Sequence, residues 1–346
     1  MIVRAFITHK KAEYFSDCQD RFGVNLDAKS IAVSDGMGST WQQKIWAQIL
    51  VDTFTQQQDW LPNKQTIKPL CHEWKKQVVA FIQKLKDTNA PENMIFRNER
   101  SLAEGRSAGA TFVGIRFQDN NWNGCVLGDS CLVEWDGAEA VFHTSQDVDE
   151  FDSYPDYFDS HTDKEGRGNP KTIKGTIANE YLLLISDPFS DFLLEHKKQG
   201  DIAVYINQIL ESSSHEEFEN LVDKWRNAGM HNDDTTLVIV QNDGKDEFSL
   251  DHIDKLDVLK EEESRQIKKP EESRTNSEDN NEKQSSVSKE SFSPSEDEKD
   301  FITEIREWLD QSLKKFIGKK KAKDFLKRFF NSSICKIIQR YKITKR

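Results

Sequence analysis

The chain has 346 residues, a net charge of −12, 36% hydrophobic and 31% charged residues, and a mean hydropathy of −0.74. That length holds one large domain or two small ones, and no apolar run is long enough to span a bilayer. Five cysteines without a C-x-x-C pair (Cys18, Cys71, Cys125, Cys131, Cys335) read as reduced, packed thiols and not as a disulfide framework or a zinc site, and with an N-terminus lacking a long apolar stretch they predict a soluble, cytoplasmic protein.

In chain order, residues 1–243 alternate strand-like and helix-like stretches. "IVRAFIT" and "SIAVS" come first, both rich in β-branched residues and bounded by polar clusters. Two amphipathic segments follow. "WQQKIWAQILVDTF" groups Trp41, Ile45, Ile49 and Leu50, and "KPLCHEWKKQVVAFIQKL" groups Leu70, Trp74, Val78, Phe81 and Leu85, both at helical spacing. Then come "ATFVGIRF", "WNGCVLG", "CLVEW" and "YLLLIS", an amphipathic stretch over 201–227, and finally "TTLVIV". Strand clusters separated by paired helices predict an α+β fold of packed sheets flanked by helices, not a βαβ repeat.

From residue 244 the composition changes. Between Ile267 and Phe292 the only large aliphatic residue is Val287, so 244–300 reads as an acidic, polar, disordered linker that cannot bury enough apolar surface to offset its entropy. Residues 301–346 hold 14 Lys and Arg against 4 Asp and Glu, a +10 tail on a body of net charge −22. Ile302, Ile305, Leu309, Leu313 and Phe316 lie at helical spacing there, which predicts a short basic amphipathic helical tail. Five roles fit its composition: docking on the domain, adsorption to an anionic membrane surface, binding of nucleic acid, binding of a partner protein, or intramolecular autoinhibition at an acidic catalytic mouth.

A carboxylate recurs at strand ends. Asp35 follows "SIAVS", Asp129 follows "NGCVLG", Asp187 follows "YLLLIS", Asp233-Asp234 precedes "TTLVIV", and Asp20 precedes "RFGV". One such Asp beside a Gly is a turn. Five form a pattern, because a carboxylate against a buried strand is costly unless paired or bound to a cation. Converging on one end of a sandwich, they make an oxygen-donor site for hard divalent ions such as Mg²⁺ or Mn²⁺.

The order "DCQD", "SDGMGS", "AGATFVG", "LGDS", "LLLISD", "NDDTTLVIV" over residues 1–243 resembles the metal-dependent type 2C serine/threonine protein phosphatases, especially their short bacterial form. The resemblance implies a four-layer α-β-β-α sandwich of two antiparallel sheets flanked by helices, with two divalent metals at one end. It implies hydrolysis of phosphoserine and phosphothreonine on a phosphorylated protein substrate by a hydroxide bridging those metals. Carried over residue by residue, Asp35 bridges the ions and the Gly36 carbonyl adds a ligand. Asp187 and Asp233 hold one ion, Asp20 orients the attacking water, and Asp129 belongs to a third, weaker metal. Gly109, Ala110 and Thr111 match scaffold positions. Ser130 and Cys131 read as packing and turn residues.

Three positions depart from the family pattern. The family Arg that grips substrate phosphate, about five residues before Asp20, is Phe15 here, which leaves Lys10, Lys11 or Arg21 as substitutes. The His expected just after Asp-Gly is absent from Met37-Gly38-Ser39-Thr40, so leaving-group protonation must come from water or elsewhere. "SDPF" replaces Ser-Asp-Gly at Asp187-Pro188. The first two departures keep a second expectation alongside the enzyme, a catalytically weak or inactive scaffold that binds a protein partner. The acidic, aromatic stretch over 147–166 reads as a surface loop beside the site, and His143, His161 and His231 as surface or packing residues.

Overall fold

The computed structural model describes residues 1–275 except 120, 147–154, 165, 178–179 and 246, with side chains through residue 266. The chain divides into Met1–Ser277 and Glu278–Arg346, and only the first unit falls within that range. The basic tail expected at 301–346, and residues 276–300 of the expected linker, therefore lie outside the described residues.

The elements run β1 (Ile2–Thr8), β2 (Arg21–Asn25), β3 (Ser30–Ser34), α1 (Gln43–Gln56), α2 (Lys68–Asp87), α3 (Glu92–Ala103), β4 (Gly109–Ala110), β5 (Phe112–Gln118), β6 (Asn121–Leu127), β7 (Cys131–Trp135) and β8 (Ala140–His143). They continue with β9 (Phe158–Asp159), β10 (Lys171–Thr176), β11 (Tyr181–Ile185), α4 (Asp187–Gln199), α5 (Ile202–Glu211), α6 (His215–Asn227), β12 (Thr235–Gln241), β13 (Ser249–Ile253) and α7 (Leu256–Thr275). One sheet has the order β13-β1-β12-β11-β7-β8 and the other β10-β6-β5-β3-β2, with β4 and β9 forming a separate two-stranded pair.

Three apolar layers hold the sandwich. Val3, Ala5, Ile31, Val33, Val113, Ile115, Leu182, Leu184 and Val238 fill the space between the sheets. Alternation explains this layer, since successive strand side chains point to opposite faces. Phe6, Val133, Leu183 and Ile239, the intervening positions of the first sheet, pack under α4–α6 with Phe189, Phe218 and Trp225. On the outer face of the second sheet, Ala32, Phe112 and Cys125 meet Trp46, Leu50 and Phe54 of α1 and Trp74 and Val78 of α2. Burying each such large apolar side chain is worth about 1.5–3 kcal/mol. This is the expected α-β-β-α arrangement.

One edge strand that the sequence reading does not include departs from the antiparallel pairing: β13 joins β1 in parallel, with Ile2 opposite Ser249 and Ala5 opposite Ile253. The ordered fold also runs past residue 243, where a disordered linker was expected to begin. β13 extends the sheet edge, Asp254 accepts from the Ile7 amide at 2.9 Å, and Leu259 of α7 packs with Ile7, Phe15 and Cys18. The sequence pattern misses this because β13 is a largely exposed edge strand held by backbone pairing, and α7 contributes only isolated apolar anchors among charged residues.

Candidate active site

Strand register explains why the carboxylates gather. In the first sheet Ile185 lies opposite both Cys131 and Leu237, so the end of β11 adjoins the starts of β7 and β12. That places Asp187, Asp129 and Asp233-Asp234 at one edge. In the second sheet Arg21 lies opposite Ser34, so Asp20 and Asp35 share an edge as well. Hydroxyls tie the two edges together. Thr111 bonds the Asp35 backbone in both directions, its N–H to the carbonyl at 2.9 Å and its Oγ1 accepting from the Asp35 amide at 3.3 Å. The same Oγ1 meets Ser130 Oγ at 2.7 Å across to the other sheet. Ser190 Oγ donates to the Asp129 carbonyl at 2.6 Å, and Ser186 Oγ accepts from the Thr236 amide at 2.9 Å.

Gly36 is needed for space. Its φ is not in the left-handed region, but a Cβ there would stand 3.0 Å from the Gln19 carbonyl oxygen and 3.0 Å from Gln43 Cγ. The turn after Asp35 is therefore pressed against the Asp20 loop and the start of α1. A side chain there would push these segments apart.

The electrostatics is that of mutually repelling buried acids. Asp20 is fully buried, and neither carboxylate oxygen has a hydrogen-bond partner. Burial, then the charges of Asp35 and Asp234, hold its ionisation well above the usual carboxylate range. Asp35 is pushed up to about 7, first by burial and then by Asp129. Asp129, with one oxygen unpartnered, is pushed up to about 7 by burial and by Asp191 and Asp20. Asp187 is raised well above its ordinary value by burial, with Asp35, Asp129 and Asp233 adding repulsion. Buried groups that disfavour their own charge in this way are held in place by the fold around them.

The predicted phosphate cations have separate fates. Lys10 stands at the site: its ammonium lies 2.9 Å from Asp233 Oδ1, and its backbone N–H donates to Asp234 Oδ1 at 2.9 Å. Burial opposes the Lys10 charge, but that hydrogen bond and the neighbouring acids raise its ionisation overall. Lys11 points outward to Asp223 at 3.8 Å. Arg21 is buried and donates to the carbonyls of Cys18 and Asp20, so it props the loop and is not free to grip a phosphate. Phe15, at the family Arg position, is buried in the small core under α7.

Two residues escaped the sequence reading. Asp191, one turn after Asp187 on α4, acts electrostatically on Asp129; its i,i+4 spacing on a helix was the available signal. Arg226, in the last turn of α6, donates to the carbonyls of His9 and Asp233 at 3.0 and 2.7 Å, clamping the Lys10 loop to the Asp233 loop. Nothing in the sequence distinguishes Arg226 from a solvated helix-end cation. Of the histidines, His143 pairs with Glu134, His161 accepts from the Asp163 amide through Nδ1, and His231 acts on Asp191. Cys131 is buried and donates to the Asp129 carbonyl, a packing role.

The donor set fits a hard divalent cation: it consists of oxygens alone, with unpartnered buried atoms on Asp20 and Asp129 and a Lys ammonium already seated on Asp233. Among the described residues, no three acidic, His or Cys side chains converge tightly enough to enclose an ion by themselves. Mg²⁺ commonly keeps several waters and takes one or two carboxylates, so full enclosure is not required.

The fold is a layered sandwich with an acidic, oxygen-rich cluster at one end. The sequence matches the family described as "Protein phosphatase 2C" over residues 13–239, most of the described unit, and the chain belongs to that family. Its class is therefore protein serine/threonine phosphatase. No curated protein matches it by sequence. Similar solved structures include a bacterial serine phosphatase at 15% identity, covering 70% of this chain and 98% of that one, TM-score 0.44. Another is the serine/threonine phosphatase Stp1 from Staphylococcus aureus at 13% identity, covering 69% and 94%, TM-score 0.43. A third is the catalytic domain of the phosphatase PstP in complex with two manganese ions, at 17% identity, covering 69% and 96%, TM-score 0.39.

Proposed function

We propose that the chain hydrolyses phosphoserine and phosphothreonine monoesters on proteins with the help of Mg²⁺ or Mn²⁺. The observation that carries this reading is the set of mutually repelling carboxylates at one sandwich end, Asp20 and Asp129 buried and Asp35, Asp187 and Asp233 half-buried, with oxygens of Asp20 and Asp129 left without donors. Two divalent ions supply an ionised water nucleophile near neutral pH and neutralise phosphate charge. Asp35, the Gly36 carbonyl, Asp187 and Asp233 are the residues to hold them, with Asp129 and Asp191 beside a third position. Asp20, deepest of the set, accepts a hydrogen bond from water and so orients it. Lys10 is the cation at the mouth and meets the phosphate oxygens as a point charge, without the fork an Arg would offer. No histidine lies in the Met37–Thr40 turn, so the departing alkoxide takes its proton from water.

The test uses full-length protein with an aryl phosphate and with phosphoserine and phosphothreonine peptides. Turnover is expected with added Mn²⁺, to stop with chelator, and to fall at least about a hundredfold in Asp35→Asn. Folded protein that binds Mn²⁺ but releases no phosphate would support the scaffold reading instead.

A further inference from the structure

Beside the Asp20 loop, a groove of about 540 Å³ runs between α1, α2 and the start of α7. Among its lining residues Lys44, Lys255 and Lys260 outnumber the single carboxylate, Asp257, while the Arg21 guanidinium is already committed to the Cys18 and Asp20 carbonyls. Asp257 is 96% exposed and reaches Lys260 only at 3.4 Å. Like charges collected on one wall are costly unless an anion offsets them.

Lys44 shows the strain most plainly. It sits in the first turn of α1, where the helix dipole disfavours a cation, and its ammonium donates to the Ser16 carbonyl at 3.0 Å. Its charge is disfavoured by burial first and then by Arg21, with Asp17 offsetting part of this and Lys260 adding to the repulsion. The groove also has an apolar floor, with Ile45 and Leu256 among its lining residues. A volume in the range of about 300–1,000 Å³ suits a small-molecule ligand. Three lysines against one carboxylate leave an excess of positive charge that suits a polyanionic ligand such as a diphosphate.

We propose that this groove is a second anion site, one that takes a small molecule bearing a diphosphate group. Arg21 forms its inner wall and hydrogen-bonds the Cys18 and Asp20 carbonyls, so the site abuts the loop carrying Asp20 without sharing a carboxylate with it. The inference does not depend on the phosphatase reading. Removing divalent ions separates the two sites, because the bare acidic cluster repels phosphate while the basic groove keeps its charge.

The experiment is calorimetric titration of full-length protein, freed of divalent ions, with inorganic pyrophosphate and, separately, with ADP. Saturable binding at one site per chain is expected, weakening as salt rises. Lys44→Gln and Lys260→Gln should each raise Kd about tenfold, the equivalent of one charge-assisted hydrogen bond. Asp35→Asn should leave Kd unchanged. Tighter binding of ADP identifies a nucleotide, and equal binding identifies the diphosphate alone. Absence of saturable binding by the wild-type chain overturns the proposal. So does unchanged Kd in a Lys44→Gln/Lys260→Gln variant that keeps its circular dichroism and melting temperature.

Discussion

Removing metal and changing pH should expose the cost of the acidic cluster. Asp35 ionises near 3.8 in an unfolded chain and at about 7 in the fold. Between these values the folded protein binds a proton that the unfolded chain has lost, so stability falls as pH rises through that window. Integrated from pH 5 to pH 8, Asp35 alone removes about 3 kcal/mol. Asp20, Asp129 and Asp187 are displaced in the same direction, though as coupled groups they do not add in full. His215, raised overall by Asp254 against the opposing effect of burial, contributes with the same sign, since its stabilising charge is also lost on going to higher pH. Carboxylates held low by partners, such as Asp243, act only below pH 4 and do not oppose the trend. The assay is urea unfolding of metal-free protein at pH 5, 6, 7 and 8, with and without Mn²⁺. Metal-free stability should be lowest at pH 8, and Mn²⁺ should stabilise more there than at pH 6, because it competes with protons for the same oxygens. Asp35→Asn should flatten the slope and be more stable than wild type at pH 8 without metal. A metal-free wild type that gains stability from pH 6 to 8, or an Asp35→Asn variant less stable at pH 8, would refute the reasoning.

Other positions give equally direct outcomes. Arg226→Leu strands the His9 and Asp233 carbonyls and should cost about 2–4 kcal/mol by urea unfolding; Arg226→Lys should recover only part, because it lacks the fork. An unchanged unfolding midpoint in the Leu variant would remove the clamp from the account. Phe15→Arg restores the family residue in sequence but buries a charge among Ile7, Cys18 and Leu259, so a loss of about 3 kcal/mol or more is expected, read as a lower melting temperature. Gly124→Ala would place a Cβ 2.0 Å from the Gly114 carbonyl oxygen on the neighbouring strand, and little soluble protein is expected on expression.

Much of this molecule was legible along the chain because its signals are local. β1, β3 and β7 coincide with "IVRAFIT", "SIAVS" and "CLVEW", whose apolar residues serve a two-sided core, and α1 and α2 follow their helical stripes. The carboxylates at strand ends were legible too, since an Asp abutting a buried strand is conspicuous whatever lies next to it in space. The rest depended on where the backbone breaks and which way a side chain turns. The 201–227 stretch reads as one amphipathic run, but it breaks at Ser212–Ser214 into α5 and α6, with Ser214 capping the second. Arg21 reads as a substrate cation beside Asp20; only folding shows its guanidinium turned back onto backbone carbonyls.

The sequence alone determined the layer pattern, the family and the residue types available for chemistry, because periodicity and strand-end acids are written in neighbouring positions. Tertiary structure set Lys10 against Asp233 and turned Lys11 and Arg21 to other partners, and it drew β13 and α7 onto a unit that composition ends at residue 243. It also made Gly36 a matter of clearance against Gln19 and Gln43. These outcomes rest on register and on side-chain direction; Lys10 and Asp233, β1 and β13, and Ile7 and Leu259 are each more than 200 residues apart, beyond any window of sequence.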